Sequence, residues 1–525
     1  MNNKRVVKVH RVYAKGYSDA GASTTKRALK GFLAQSGTPI EDIDFNNYTL
    51  RQRGRMLYMS SPIATAAVNI NRTKVVGPGL HMKCNINREK LGLSDEAAKE
   101  WQKKTEEEWR MWASKKTNCD AVGLNNFYEL QQLVLKSWLV SGDVFVLLKR
   151  YDVTRLSPYS LRLHVIEADR ISTPMTGTSS KFFNLSSTEG KNDETGNKIH
   201  DGVEVDENGC IVAYHICSAY PNQITADKIE WQRVEAYGEK TGLPNILHIT
   251  ETERPDQYRG VTYFASVIET LLQARRYTES ELTAAIVQSY FTAFITTATD
   301  PTDYPFAEVG AGDYEGTDAS QPDSITENLD EYEMGPGTIN HLQPGENVTL
   351  GNPNIPTAGF EAFIKNIYKQ VGAGLDIPYD VLLKEFNASY SASKAELEEV
   401  WEYCKERRSW LVNDFCQPVY EVWLSEAVAR GRIKAPGFFT DPAIREAWCA
   451  TRWDGPAMTQ LDPVKEATAD EIQVKNGWKT NEQVTREHYG GDWEANVEIV
   501  RREQEMLSSA AAKNIDNPEG VENHE

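Results

Sequence analysis

No stretch of the sequence approaches eighteen consecutive apolar residues, and the N-terminus carries charges without an apolar core. Neither a membrane span nor a signal peptide is therefore expected. Seven cysteines are scattered with no CxxC pair. Their odd number and spacing fit reduced thiols in a cytosol-like compartment. The nine histidines include no close pair at ligand spacing. His215 and Cys217 share one face of a strand-like run, but without a second ligand pair they make no metal site. Also missing are a GxxxxGK(S/T) phosphate loop, an HExxH helix, a GxSxG elbow and a dinucleotide GxGxxG; Gly310–Gly316 has the wrong spacing. These gaps exclude an ATP-driven motor, a zinc protease, a serine hydrolase of the elbow type and a nicotinamide enzyme. No catalytic constellation, cofactor or metal is expected.

Basic charge is also in short supply. The 57 Lys and Arg face 76 Asp and Glu, giving a net charge of −19. Tight binding to nucleic acid through phosphates needs clustered Lys and Arg, so it is disfavoured; a surface that lets nucleic acid slide past is not. The charges are unevenly spread. Lys4, Arg5, Lys8, Arg11, Lys15, Lys26, Arg27 and Lys30 meet one acid, Asp19, before Glu41. Residues 1–45 read as a basic flexible arm, either solvated or touching a nucleic acid or an acidic partner. From Asp300 to Glu333 there are eleven acids and no Lys or Arg, among many Gly, Pro, Ser and Thr. This composition predicts an extended surface loop. Its carboxylates would suit two-metal chemistry only if something apolar held them rigid, and nothing nearby does.

What is present is a mainly helical α+β pattern in a chain of 525 residues, 40% hydrophobic and 25% charged. Tyr48 to Leu80 reads as a helix, then a strand and turn ended by Gly77-Pro78-Gly79. Helices follow over 94–112, where Trp101, Trp109 and Trp112 suggest core, and over 124–140. After Ser141-Gly142-Asp143 come the strands VFVLLKRY, LRLHVIEADRI, GCIVAYHI and ILHIT. A long Ala-rich helix ends near Ser289. Beyond the acidic excursion, the strand-like TINHLQ and NVTLG lead to the helix GFEAFIKNIYKQVGAG. Two helices leading out to an excursion and back describe a stalk with a small tip. After Gly431 the chain is expected to be helical, with 511–525 disordered.

The longest periodic element is Gly372–Arg430. A bend punctuated by Gly and Pro opens into a polar loop, and then apolar residues recur at Leu397, Trp401, Cys404, Leu411, Phe415 and Val419, interrupted at Arg408. Ser393 and Glu396 fit a capping box that would start the helix. Pro418 should kink or split it.

These residues bear a resemblance. VVGPG (75–79), FYELQQLVLKSWLVSGDVF (127–145) and ERPDQYRGVTYFASVI (253–268) match in order. So do AGLDIPYDVLLKEFNASYSASKAELEE (373–399), FCQPVYEVWLSEAV (415–428) and LDPVKEATADEIQVKNGWKT (461–480). Over about residues 45–505 the chain resembles the lambda-like portal family of tailed bacteriophages. The family's Tyr-Ser-Ser-x-Arg pattern is Tyr390-Ser391-Ala392-Ser393-Lys394 here, so no bidentate arginine contact carries over. The resemblance implies a virion protein at the capsid portal vertex, assembled in the host cytoplasm. It implies a homo-oligomeric ring, usually of twelve copies, around double-stranded DNA. The implied partners are terminase, major capsid and scaffold proteins, and head completion or adaptor proteins. The portal-type subunit would comprise a wing (46–260), a stem helix (261–292) and a small α/β clip with the acidic loop (293–357). A second stem helix (358–377), a tunnel loop (378–393), a long channel-side wing helix (394–434) and a helical crown (435–510) would follow. In this reading Lys384, Asn387, Ser389, Tyr390, Ser391 and Lys394 line the DNA channel, and Asp313, Glu315, Asp318 and Asp323 dock partners at the clip. A minor head or adaptor protein without a channel role is the alternative; it would lack the helix–excursion–helix–bend order.

Overall fold

A computed structural model describes residues 23, 26–29, 32, 36–174, 189–220, 223, 229–289, 293–297, 346–350, 359–385, 389–458 and 462–515. The chain between Tyr48 and Leu80 departs from expectation. It forms two helices, Phe45–Ser60 and Pro62–Asn71, and Val75 and Val76 lie in a π-helical turn, Arg72–Val76, rather than a strand. The second helix starts because the Ser61 hydroxyl accepts from the Ala64 N–H and Pro62 occupies the first turn, where no N–H partner is needed. The β-branched pair is fully buried in this turn. Tertiary burial overrides its local strand preference.

Helices Asp95–Ala113 and Phe127–Ser141 form as predicted; the latter carries a reciprocal capping box between Asn126 and Glu129. The strand Asp143–Arg150 is the centre of a three-stranded antiparallel sheet between Leu161–Glu167 and Ile246–Thr250. Its alternation separates two cores. Val144 and Val146 belong to the main core, while Phe145 faces a smaller one with Ile166, Ile171, Tyr214 and Ile216. The smaller core is closed by a five-stranded meander containing Ile211–Cys217 and Trp231–Glu235. On that meander the buried Glu204 accepts from Arg233 Nε at 2.8 Å and lies 3.0 Å from the His215 ring nitrogen. The face that carries His215 and Cys217 therefore serves an ion network.

The main core is built on aromatic rings from distant parts of the chain. Trp109 meets Phe127, Tyr420 and Trp423 edge-on, at centroid distances of 5.1, 5.5 and 5.2 Å. Phe127 stacks on Phe415 at 5.5 Å. Such arrangements set the negative ring face against a positive edge. Tyr420 and Trp423 come from the long helical element, which runs as Tyr390–Leu411, a π-helical turn Val412–Cys416, and Gln417–Ala429. The wide turn lies directly before Pro418, which lacks the N–H and whose ring would crowd the carbonyl four residues earlier. The expected interruption is thus a π turn. The expected start is corrected: the helix begins at Tyr390, and Ser393 is buried inside its first turn, donating its N–H to Ser389 O at 2.9 Å. In a run with several hydroxyls, a Ser three residues before a Glu arises without capping.

The Ile268–Ser289 helix leads to the strand Ala293–Thr297, which pairs with Glu346–Leu350, and Phe360–Gly374 returns. Tyr277 joins the two helices through Phe360 and Phe363, at 5.4 and 4.9 Å. TINHLQ and the whole acidic loop 300–333, with Asp313, Glu315, Asp318 and Asp323, fall outside the described residues. The region beyond 435 is not wholly helical. Thr451–Asp454 forms a strand against His81–Cys84, a non-local pairing that local pattern does not signal, and Phe438, Trp448 and Trp453 enter the main core. Pro463–Lys475 and Trp493–Ile515 follow as helices.

One ionic joint locks sheet to stalk. Gly142 and Gly260 touch through backbone alone: a Cβ on Gly260 would lie 2.0 Å from Gly142 O. Beside them Arg259, fully buried, donates from Nε to Asp143 Oδ2 at 2.6 Å and from Nη2 to Ala168 O at 2.8 Å. Its Nη1 donates to Ile171 O at 3.0 Å and to Asp201 O. Arg51 extends the network to Asp169 and Asp201. Arg259 and its companions hold the Asp143 carboxyl far below the usual carboxylate range against the opposing effect of burial. Asp44, buried beside the network, moves the other way: burial and then Asp201 push its carboxyl up to about 7. Its Oδ2 meets no hydrogen-bond donor among the described residues.

Two predictions follow from this joint. Gly260→Ala would collide with the Gly142 backbone as well as with the Thr250 hydroxyl and is expected to cost about 3 kcal/mol or more; Gly92→Ala, at φ +66° in open space, should cost only about 1 kcal/mol. Thermal unfolding of the two variants side by side checks the contrast, and equal losses would contradict it. For Asp44, the neutral carboxyl favours the folded state fully below the unfolded value of 3.8, and this contribution is lost as pH rises through about 7. Asp44→Asn should therefore gain roughly 1–3 kcal/mol more over the wild type at pH 8 than at pH 5. Denaturation curves that stay parallel across that range would rule this out.

Candidate channel-facing segment

The bend before the polar segment is set by Gly372. Its carbonyl accepts from Leu375 N at 3.2 Å and Ile377 N at 3.0 Å, and a Cβ there would lie 2.6 Å from Ile377 O. Asp376, at φ +52°, accepts from Arg407 Nη2 at 3.2 Å. Arg407 also donates to Asn71 Oδ1 at 2.9 Å and lies over the Tyr263 ring, while the Tyr263 hydroxyl donates to Leu375 O. The bend is therefore fastened to the long helix, to the Pro62–Asn71 helix and to the stalk base.

Pro378 precedes a single helical turn, Tyr379–Leu383, whose Val381 and Leu382 are buried. Lys384 ends it in the left-handed conformation, φ +60°. That conformation is strained for a residue with a Cβ and turns the chain outward. The Lys384 side chain is exposed at the rim of a cleft of about 780 Å³ lined by Ser61, Thr65, Lys74 and Trp401. Glu385 turns back instead, accepting from the Tyr379 hydroxyl at 3.0 Å and lying 3.3 Å from Lys365 Nζ. Asn387 lies outside the described residues. Ser389, Tyr390 and Ser391 are exposed at the head of the long helix, with the two serine hydroxyls 3.2 Å apart.

Lys394 differs from this group. It is half-buried, its Nζ 3.6 Å from Glu466 and 3.9 Å from Glu398, and the Lys465 ammonium lies 5.4 Å from the Tyr390 ring centroid. The helix Pro463–Lys475 thus packs beside the first turn of the long helix through charge. Of the six residues expected on a channel, four (Lys384, Ser389, Tyr390 and Ser391) are exposed along one stretch, and Lys394 is engaged elsewhere.

Two residues that position this segment escaped the motif search. Arg407 clamps the bend, and Arg408 donates to Val75 O at 2.9 Å, Lys74 O at 2.7 Å and Pro456 O at 3.1 Å, with its guanidinium over Trp401 at 5.0 Å. Burial lowers the Arg408 pKa from its ordinary value. The available signal was the break in apolar recurrence at Arg408: a charge on a buried face needs acceptors, and the carbonyls of Lys74, Val75 and Pro456 provide them. Among the described residues no group of three or more His, Cys, Asp or Glu is placed to hold a metal ion, and no helix is long and apolar enough to cross a membrane.

Comparison with known proteins identifies the family of the chain. The family model described as phage portal protein, lambda family, matches residues 25–408. Portal protein B of Escherichia phage lambda is 23% identical over 490 residues, covering 90% of this chain and 86% of that protein. The portal protein of Escherichia phage N15 is 23% identical over 443 residues, covering 81% and 78%. Among solved structures, a chain from the virion of a native gene transfer agent particle is 12% identical with a TM-score of 0.41, covering 84% of this chain and 92% of that one. With well over half of its length matched by the family model, the chain belongs to the lambda family of phage portal proteins.

Proposed function

We propose that the chain acts as the portal, or head-tail connector, subunit: a ring of identical copies at one capsid vertex through which double-stranded DNA is packaged, retained and ejected. Membership of the portal family carries this reading. The stalk, the fastened bend and the exposed polar segment at the head of the long helix support its mechanical side. A conduit has to centre DNA without holding it. Each Lys or Arg on a phosphate adds a salt-dependent attraction, so a basic wall would trap the duplex. A chain with a net charge of −19 that presents one exposed lysine among hydroxyls keeps such contacts weak and transient. The role is structural rather than catalytic, and the partners are terminase, capsid and scaffold proteins, and head completion or adaptor proteins.

Negative-stain images of the purified protein provide the primary test: rings with a central hole are expected, and monomers or compact dimers would oppose the reading. In the channel, Lys384, Asn387, Ser389, Tyr390 and Ser391 form the closest approach to DNA, with Lys394 behind them. Lys384→Ala combined with Lys394→Ala should leave rings intact and change packaging or DNA retention by roughly two- to fivefold, the scale of exposed ion pairs. Because Lys394 is paired with Glu466, Lys384→Ala alone should produce most of that change. Normal packaging and retention in the double variant would count against the assignment.

The acidic stretch 300–333, with Asp313, Glu315, Asp318 and Asp323, would present an electrostatic docking surface at the clip. Deleting residues 305–330 should weaken binding of the packaging motor at low salt, with the difference shrinking toward about 1 M, where the Debye length falls to about 3 Å. Undiminished stimulation of packaging by the deleted ring would reject this role.

A further inference from the structure

Three buried polar atoms at the start of the Phe45–Ser60 helix meet no hydrogen-bond partner among the described residues: Asp44 Oδ2, Asn47 Oδ1 and Arg51 Nε. The three residues are 3%, 0% and 1% exposed, so surface water does not serve them. Asp44 ends the π-helical turn Ile40–Asp44, which runs directly into the helix. At i, i+3 and i+7 the three share one face, with successive members about 5–6 Å apart at Cβ. Unpaired groups of this kind are rare in a folded interior. The Asn47 amide cannot be turned to relieve its own, because Nδ2 donates to Gly260 O at 2.8 Å and a carbonyl only accepts. Asn47 Oδ1 therefore needs a donor. An ionised Asp44 has none to give, whereas a neutral carboxyl carries one O–H.

We propose that the proton of Asp44 is a latch: it sits on Oδ2 and is donated to Asn47 Oδ1, so that Asp44, Asn47 and Gly260 O form one chain of hydrogen bonds fastening the N-terminal segment to the base of the stalk. The surrounding charges favour this arrangement. Asp201 on the meander and Asp143 at the head of the central strand both oppose a third negative charge. Arg259 and Arg51 act the other way but are engaged, Arg259 with Asp143 and Asp201, Arg51 with Asp169 and Asp201. His248, whose pKa burial lowers, stands against Asp143. The net result is the carboxyl pushed up to about 7. Once the proton leaves, the free donor in the row is Arg51 Nε. A carboxylate drawn to it abandons Asn47, and the Asn47–Gly260 bond loses its support. Ahead of Asp44 the chain is held by Arg254, which donates to Asp42 Oδ2 at 2.6 Å and to Gly37 O at 3.1 Å. Partly exposed pairs of this kind contribute little. The hold on residues 36–47 thus depends on the latch and follows pH.

Hydrogen-exchange mass spectrometry on the full chain, corrected for the intrinsic pH dependence of amide exchange, tests this. Opening releases the proton, so it grows easier as pH rises from the unfolded value of 3.8 and levels off above about 7. Protection of 45–55 and 259–264 is expected to fall about tenfold or more between pH 5 and pH 8, while that of the Gln417–Ala429 helix holds within about threefold. Asp44→Asn, whose carboxamide donates to Asn47 Oδ1 at every pH, should keep the pH 5 protection at pH 8. Asn47→Leu removes the acceptor and should shrink the pH response to about a third or less. A wild-type response no larger than that of Gln417–Ala429, or the same response in Asp44→Asn, would overturn the proposal. So would a full response in Asn47→Leu, which would leave burial alone as the cause. If Asn47→Leu does not fold, the wild type and Asp44→Asn decide by themselves.

Discussion

The guanidinium of Arg259 is the constraint on which the arrangement of sheet and stalk depends. Isolated in the interior, it would cost several kcal/mol. All five of its N–H groups are used: two on Asp143, one on Ala168 O, and two shared between Ile171 O and Asp201 O. Those acceptors come from the entry to the central strand, the turn after its neighbour, and the meander. A small displacement of any one would leave a buried charge short of a partner, so the three are fixed together. Gly142 and Gly260 permit this by removing the side chains that would hold the two segments apart. The chain leaves this joint directly into the Ile268–Ser289 helix, so the direction of the stalk is inherited from the sheet.

From the opposite side, two consecutive arginines do the same for the long helix. Neighbouring residues on a helix point about 100° apart. Arg407 therefore reaches the bend and Asn71, while Arg408 reaches the carbonyls of Lys74, Val75 and Pro456. A helix held on two faces cannot rotate without breaking both sets of bonds. Lys384 follows the bend, and Ser389, Tyr390 and Ser391 stand at the helix head, so the positions of these exposed residues are set by buried contacts rather than by their own. This suits a surface whose task depends on where it is, not on how strongly it binds.

Much of this was legible in the sequence, and the parts that were not share a cause. The helices 95–113 and 127–141, the strands around Phe145 and the helix ending at Ser289 follow from periodicity, because each buries a face whose pattern is local. Val75 and Val76 were misassigned because tertiary packing buries them, and the partner of the Val75 carbonyl, Arg408, lies more than three hundred residues away. The strand Thr451–Asp454 is invisible for the same reason: its partner is His81–Cys84. Ser393 fitted a cap by spacing alone, and spacing does not say whether a hydroxyl faces solvent. The polar segment itself was found by its punctuation, Gly372 and Pro378, and its family placement came from matching motifs. Which of its lysines is free to meet a phosphate could not be read there: Lys394 and Lys384 look alike until Glu466 is brought beside one of them.

The distribution of apolar burial divides the described residues into a part that shares a core and a part that does not. Up to Trp453 the rings of Trp109, Phe127, Phe415, Tyr420 and Trp423 form a core that draws on both halves of the chain. Beyond it the helices have capped starts, with Asp462 accepting from Lys465 N and Thr480 from Gln483 N, but no core. Local signals fix where these helices begin, and ion pairs to Lys83, Lys99 and Lys394 fix where they lie against the rest of the chain.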